Sequence, residues 1–113
     1  MNRTASRTML LLGLVVLWSA LPAFAVDGKE VFLAQKCNTC HSISTQGIEA
    51  TTKSEKMKGP DLVDVVQAHE KSWIADFLHK KVDLEGKKHA KEFKGTDEEL
   101  NALIDWLWAQ TKG

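Results

Sequence analysis

The 113-residue chain has only two cysteines, Cys37 and Cys40. That excludes the disulfide framework on which many small exported domains rely. A bond between these two would close a tiny loop and constrain little of the unfolded chain. Arginine occurs only at Arg3 and Arg7, and the fifteen basic and fifteen acidic residues cancel. No strongly basic face is available for nucleic acid. No alternating apolar and polar run is long enough for a strand, and no segment repeats. Methionine is scarce as well: Met1, Met9 and Met57 are the three present.

The first residues have their own pattern. Arg3 and Arg7 give a positive start, Met9 to Leu21 is an apolar run, and Ala23-Phe24-Ala25 follows Pro22. Basic head, apolar middle and small-residue end match a secretory signal peptide over residues 1–25, cleaved after Ala25. A retained membrane anchor is the competing reading, but a bilayer span needs about 20 apolar residues. The domain is then residues 26–113. Without the two arginines, thirteen lysines face fifteen acidic residues, a net charge of about −2. So short a domain has a thin core and needs a staple. With no disulfide framework, the staple has to come from outside the chain.

The remaining pattern is helical. Asp27 caps a short helix running to Lys36, with Val31 and Phe32 among its apolar positions. Ser42 to Lys58 is polar and reads as a loop, broken at Gly59-Pro60. Leu62 to Gln67 fits either a short helix or an extended piece. Ser72 is the expected N-cap of a helix over Trp73–Lys81, whose Trp73, Ile74, Phe77 and Leu78 share one face; Lys80 and Lys81 suit its C-terminal end. Val82 to Gly95 is irregular. Thr96-Asp97-Glu98-Glu99 is a capping box opening a last helix with Leu100, Leu103, Ile104 and Leu107 as its buried stripe and Trp106 beside it. Lys112 suits the far end of that helix.

Within this frame lies Cys37-Asn38-Thr39-Cys40-His41. A redox dithiol of this spacing belongs to a βαβ pattern that the chain lacks. A structural zinc site needs four ligands, and no second cysteine pair supplies them. The third reading uses all three side chains: two thiols add to the vinyl groups of one haem, and the histidine stands under the iron. C-x-x-C-H is the attachment signal of c-type haem. A haem would also be the missing staple.

The sequence resembles the class I c-type cytochromes, small periplasmic proteins with one haem. The likeness runs from Gly28 to about Gln110 and rests on GKEVFLAQKCNTCH, on KGPDL (Lys58 to Leu62) and on FKGTDEELNALIDWL (Phe93 to Leu107). It implies an all-α fold of three to four helices packed around one haem c, covalently attached through Cys37 and Cys40, with His41 as proximal iron ligand. It further implies that Phe32 meets Trp106 where the first and last helices cross, and that the Pro60 carbonyl accepts a hydrogen bond from the proximal imidazole.

The chain departs from the family at the sixth ligand. A methionine followed by proline usually precedes the last helix; here the loop reads Lys87-Lys88-His89-Ala90-Lys91-Glu92-Phe93. His89 falls at about the methionine's position and is the first candidate. Met57, the one methionine beyond the signal, is the alternative, and an open site is the third. His69 and His79 read as ordinary helix-end or surface histidines. Axial ligands move haem potentials over a range of about 0.8 V, so the choice bears on function.

Two lysine groups, Lys87, Lys88, Lys91 and Lys94 in one loop and Lys53, Lys56 and Lys58 in another, are expected to border the haem. They read as solubilising charge or as an encounter patch for a redox protein with an acidic docking surface. The resemblance implies a monomeric, exported, periplasmic single-electron carrier of a respiratory chain. It needs no chemical substrate and so is not an enzyme. The alternative is a haem-based sensor or peroxidase-like protein with a displaceable sixth ligand.

Overall fold

The computed structural model describes residues 25–110. Almost all of the signal segment, and Lys112, lie outside the described residues. Among those described, the architecture is all-α, with four α-helices joined by irregular loops and short 3₁₀ turns, and no strand beyond two isolated bridges. No described helix is long and apolar enough to cross a membrane.

Helix α1 (Gly28–Ala34) begins where expected. The Asp27 carboxylate accepts the Lys29 backbone N–H at 2.9 Å, satisfying a donor that has no partner inside the helix. It ends early, because Lys36 adopts a left-handed conformation (φ 60°). The chain then winds into a 3₁₀ turn at Cys37–Thr39. The last helix, α4 (Asp97–Gln110), opens with a reciprocal capping box. Thr96 N–H donates to Glu99 Oε1 at 2.8 Å, and Glu99 N–H donates to Thr96 Oγ1 at 3.1 Å. Leu100, Leu103, Ile104 and Leu107 are all buried on one stripe.

α1 crosses α4 closely. Gly28 lies against the Ala102 carbonyl and the Trp106 Cβ, where a side chain would not fit. One turn further on, Phe32 meets Trp106 with ring centres 5.5 Å apart. Phe32 is fully buried and Leu103 nearly so. This crossing fixes the direction in which the chain enters Cys37.

The ambiguous segment resolves into α2 (Leu62–Val65), capped by Asp61, which accepts the Val63 N–H at 3.0 Å; a 3₁₀ turn, Val66–Ala68, follows. The Ser42–Lys58 stretch is irregular but not merely a solvated loop. Ile43 and Ile48 exchange backbone hydrogen bonds around Gly47, and Ile43 is fully buried in the core.

Helix α3 (Lys71–Leu78) departs from expectation at both ends. Ser72 is not its cap. The backbone leaves the extended region at Glu70, which makes no side-chain capping bond, so Ser72 is already inside the first turn and exposed. Lys80 and Lys81 lie beyond the helix. Lys80 turns left-handed (φ 59°), Lys80 N–H donates to Phe77 O at 3.0 Å, and Lys81 N–H donates to Asp76 O at 2.8 Å. That pair of bonds is a Schellman stop with lysine where glycine is usual. Beyond it, Leu84 and Lys87 close a two-residue hairpin turn. Glu85 and Gly86 both have positive φ, as a type I′ turn requires.

Candidate functional site

The 3₁₀ turn does the first positioning. His41 N–H and Cys40 N–H both donate to Cys37 O, at 3.0 and 3.3 Å. Residues three and four apart in a helical turn share a face. Cys37, Cys40 and His41 accordingly all line one cavity of about 520 Å³. The following loop is stitched onto this turn. Thr51 and Thr52 donate to Asn38 O and Thr39 O at 2.9 Å each, and Gly59 N–H donates to Cys40 O at 2.7 Å.

The cavity opens between this turn, α3 and the loop before α4. Its walls are mainly apolar: Phe32, Ile74, Phe77, Leu103 and Leu107 contribute, and Trp73 and His69 stand along the α3 side. Its volume lies within the ordinary range for cofactor sites, roughly 300–1,000 Å³.

Two histidines stand out within it. His41 Nδ1 lies 2.8 Å from the Pro60 carbonyl. A carbonyl only accepts, so Nδ1 carries the proton and Nε2 keeps its lone pair. His89 Nδ1 lies within hydrogen-bond distance of the Lys91 carbonyl, so it too donates from Nδ1. In each ring this leaves Nε2 as the nitrogen that would bind a metal. The rings lie within 9° of parallel, with centres 6.2 Å apart. A metal–imidazole bond is about 2.0–2.1 Å, and a ring centre lies about 1.1–1.2 Å beyond its nitrogen. Two imidazoles on opposite sides of one ion would therefore stand about 6.4 Å apart. The observed separation fits that arrangement.

Electrostatics agree with this geometry. Burial holds His41 below the usual histidine pKa; the Pro60 hydrogen bond opposes the shift, and repulsion from His89 adds to it. A neutral imidazole is the form that ligates. Burial pushes the Cys37 thiol up, against the nearby Lys91 cation, with Cys40 adding to the rise. Among the described residues no group of three or more His, Cys, Asp or Glu side chains converges as a metal site. Two imidazoles alone do not hold a metal ion well, so the remaining equatorial ligands would be those of a macrocycle. The apolar walls, the two thiols on one face and the two near-parallel imidazoles in one cavity fit a haem.

Met57 also lines the cavity, but at its rim, with 56 % of its surface exposed. His69 lines it too, yet its ring is stacked on Trp73 at 3.9 Å. His79 caps the C-terminus of α3, with its ring edge-on to Phe93. Of the lysines expected at the site, Lys87, Lys88 and Lys91 line the cavity, joined by Lys36. Lys53, Lys56 and Lys58 do not, because the segment before Gly59 brings only Met57 to the rim, and Lys94 does not line it either.

Three contributors escaped the sequence reading. Gly59, taken there as a chain break, packs its Cα against the His41 ring; a Cβ would fall 2.3 Å from His41 Cε1. Phe77 stands edge-on to His89 at 5.2 Å. Gln35 ties the His89 loop to the end of α1, accepting the Lys94 N–H at its Oε1 and the Lys91 ammonium at its backbone oxygen. The Gly-Pro pair was a visible signal; nothing local marks Phe77 or Gln35.

No curated protein and no solved structure matches the chain. The family model for cytochrome c matches it over residues 25–111, which takes in both helices of the crossing, the Cys37–His41 turn and the His89 loop. The chain belongs to the cytochrome c family, whose chemistry is haem-based electron transfer.

Proposed function

We propose that the protein is an exported, periplasmic carrier of single electrons, serving a respiratory chain rather than catalysing a reaction of its own. Cys37 and Cys40 would hold the haem, each S–H adding across one of its vinyl groups. His41 and His89 would bind its iron. The observation that carries this reading is the pair of near-parallel imidazoles 6.2 Å apart, each with its Nδ1 committed to a backbone carbonyl. The export part rests on the N-terminal sequence pattern.

Bound haem supplies an iron centre that gains or loses one electron. The chain's residues then have separable tasks. Pro60 O and Lys91 O orient the imidazoles and raise their basicity, as outer hydrogen bonds to metal ligands do. Phe32, Leu103 and Leu107 keep water from one side of the cavity. Two imidazoles favour ferrous iron less than an imidazole–methionine pair does, so the potential lies below that of a His/Met carrier. Lys36, Lys87, Lys88 and Lys91 at the cavity mouth favour an acidic partner surface, and the encounter weakens with salt.

The test is near-infrared magnetic circular dichroism of the ferric protein purified from periplasm, beside a denaturing gel stained for haem. The expected result is low-spin iron with no sulfur-to-iron charge-transfer band, and haem that stays with the polypeptide on the gel. A sulfur band would replace His89 with Met57. High-spin iron that binds carbon monoxide rapidly once reduced would favour a sensor or peroxidase-like protein.

A further inference from the structure

The two imidazoles reach their near-parallel setting by different means. His41 is held on two sides: its Nδ1–H by Pro60 O, and its ring by the Gly59 backbone packed against it. His89 comes from an irregular loop, and its hydrogen bond is to Lys91 O in that same loop, so the bond holds the ring only as firmly as the loop itself is held. The χ2 torsion of histidine is broad, with no staggered wells to define it. A contact from outside the loop would hold the plane more firmly.

That contact is Phe77. Its ring stands edge-on to His89, with centres 5.2 Å apart and planes at 69°. Phe77 is itself immobilised from behind. Trp73, one turn earlier on α3, stacks on it at 4.9 Å and 14°, and His69 stacks on Trp73 at 3.9 Å and 15°. The three rings form a column, with His69 just before α3 and Trp73 and Phe77 on one face of it, that ends on His89. An aromatic edge against an aromatic face has a preferred orientation, which an aliphatic side chain of similar bulk lacks.

We propose that Phe77 is the positioning residue for His89, holding its ring plane parallel to that of His41. The inference rests on the reading of both histidines as axial ligands. Its consequence is electronic. Parallel imidazole planes direct both ligand π systems at the same iron d orbital and split the orbital pair widely. Planes turned toward perpendicular act on different orbitals and leave the pair nearly degenerate. Ferric low-spin iron reports the difference in its EPR spectrum: three resolved g values in the first case, one very large g value with the others smeared out in the second.

The experiment compares low-temperature EPR of the intact ferric haem protein with that of its Phe77→Leu and Phe77→Tyr variants. Wild type is expected to give three resolved g values, Phe77→Tyr to keep them, and Phe77→Leu to move toward the large-g form or a mixture of the two. Wild-type spectra test the parallel setting even if the leucine variant fails to accumulate. A wild-type bis-imidazole signal of the large-g form would overturn the inference. So would a Phe77→Leu spectrum identical to wild type, since a merely packing role would not tie the g values to the aromatic ring. A sulfur-to-iron band in wild type would instead remove His89 from the iron and take both readings down together.

Discussion

Replacing Gly28 by alanine should destabilise the protein, although the same change inside an ordinary helix stabilises it. The usual gain from Gly to Ala in a helix interior is about 1 kcal/mol, and Gly28 is the first residue of α1, where less of it applies. Against that stands the crossing with α4. A Cβ on Gly28 would lie 2.2 Å from the Ala102 carbonyl oxygen, 2.4 Å from Trp106 Cβ and 2.9 Å from the Ala102 carbonyl carbon. Carbon–carbon contacts are comfortable at about 3.5–4.0 Å, so the helices would have to part by roughly 1 Å. The obstacles are backbone and a Cβ, which cannot rotate away. A gap of about 0.5–1 Å forfeits a quarter to a half of the dispersion energy of the contacts it opens. Those contacts include the Phe32–Trp106 pair. Overpacking of this kind typically costs about 1–3 kcal/mol, which exceeds the propensity gain. For a domain of this size each kcal/mol lowers Tm by roughly 4–8 °C. The assay is thermal and urea unfolding of the haem protein followed by far-ultraviolet circular dichroism. An alanine variant that melts at or above the wild-type temperature would refute the close crossing.

Two further substitutions probe the site's supports. Gly59→Ala places a Cβ 2.3 Å from His41 Cε1 and should turn the His41 ring off the Pro60 carbonyl, shifting the g values and the reduction potential while leaving α-helix content unchanged. EPR and redox titration read the first two, and circular dichroism the third. Gln35→Leu removes the acceptor of the Lys94 N–H and should cost about 0.5–1.5 kcal/mol. Its effect should be concentrated in faster amide hydrogen exchange across residues 87–95, with α4 little changed.

Some elements were legible because their chemistry is local. The Asp27 cap, the Thr96/Glu99 box and the α4 stripe each rest on a few neighbouring residues, and each stands as read. The ends of α1 and α3 were not legible, for one shared reason. Both helices stop on a lysine in the left-handed region, Lys36 and Lys80, where a stop is normally recognised by glycine. Lysine there is strained relative to glycine, so only the tertiary setting explains it. At Lys36 the chain has to turn at once to bring Cys37 to the cavity. At Lys80 it has to leave α3 in time to carry His89 back across the mouth. Ile43 was missed because a single apolar residue in a polar stretch has no periodicity to betray it, and its burial follows from the Ile48 bridge.

The site shows the same division between what is local and what is not. The Cys37–His41 turn could be read from five consecutive residues, because spacing alone puts three side chains on one face. What places His89 is distributed. Lys91 O orients its nitrogen, Gln35 anchors its loop and Phe77 meets its ring, from three separate parts of the chain. Such a device is specified by packing rather than by motif, which is why position in the loop pointed to His89 while nothing in the loop explained how it is held. The contrast with Met57 follows from the same argument. Gly59 is bound to Cys40 O and packed on His41, so the backbone two residues before it is fixed near the rim. Drawing the Met57 sulfur further into the cavity would pull on a segment tied at Gly59 to Cys40 O and packed on His41. On the proposed ligation, the segment that carries Met57 supports the His41 imidazole through Gly59 rather than supplying a ligand of its own.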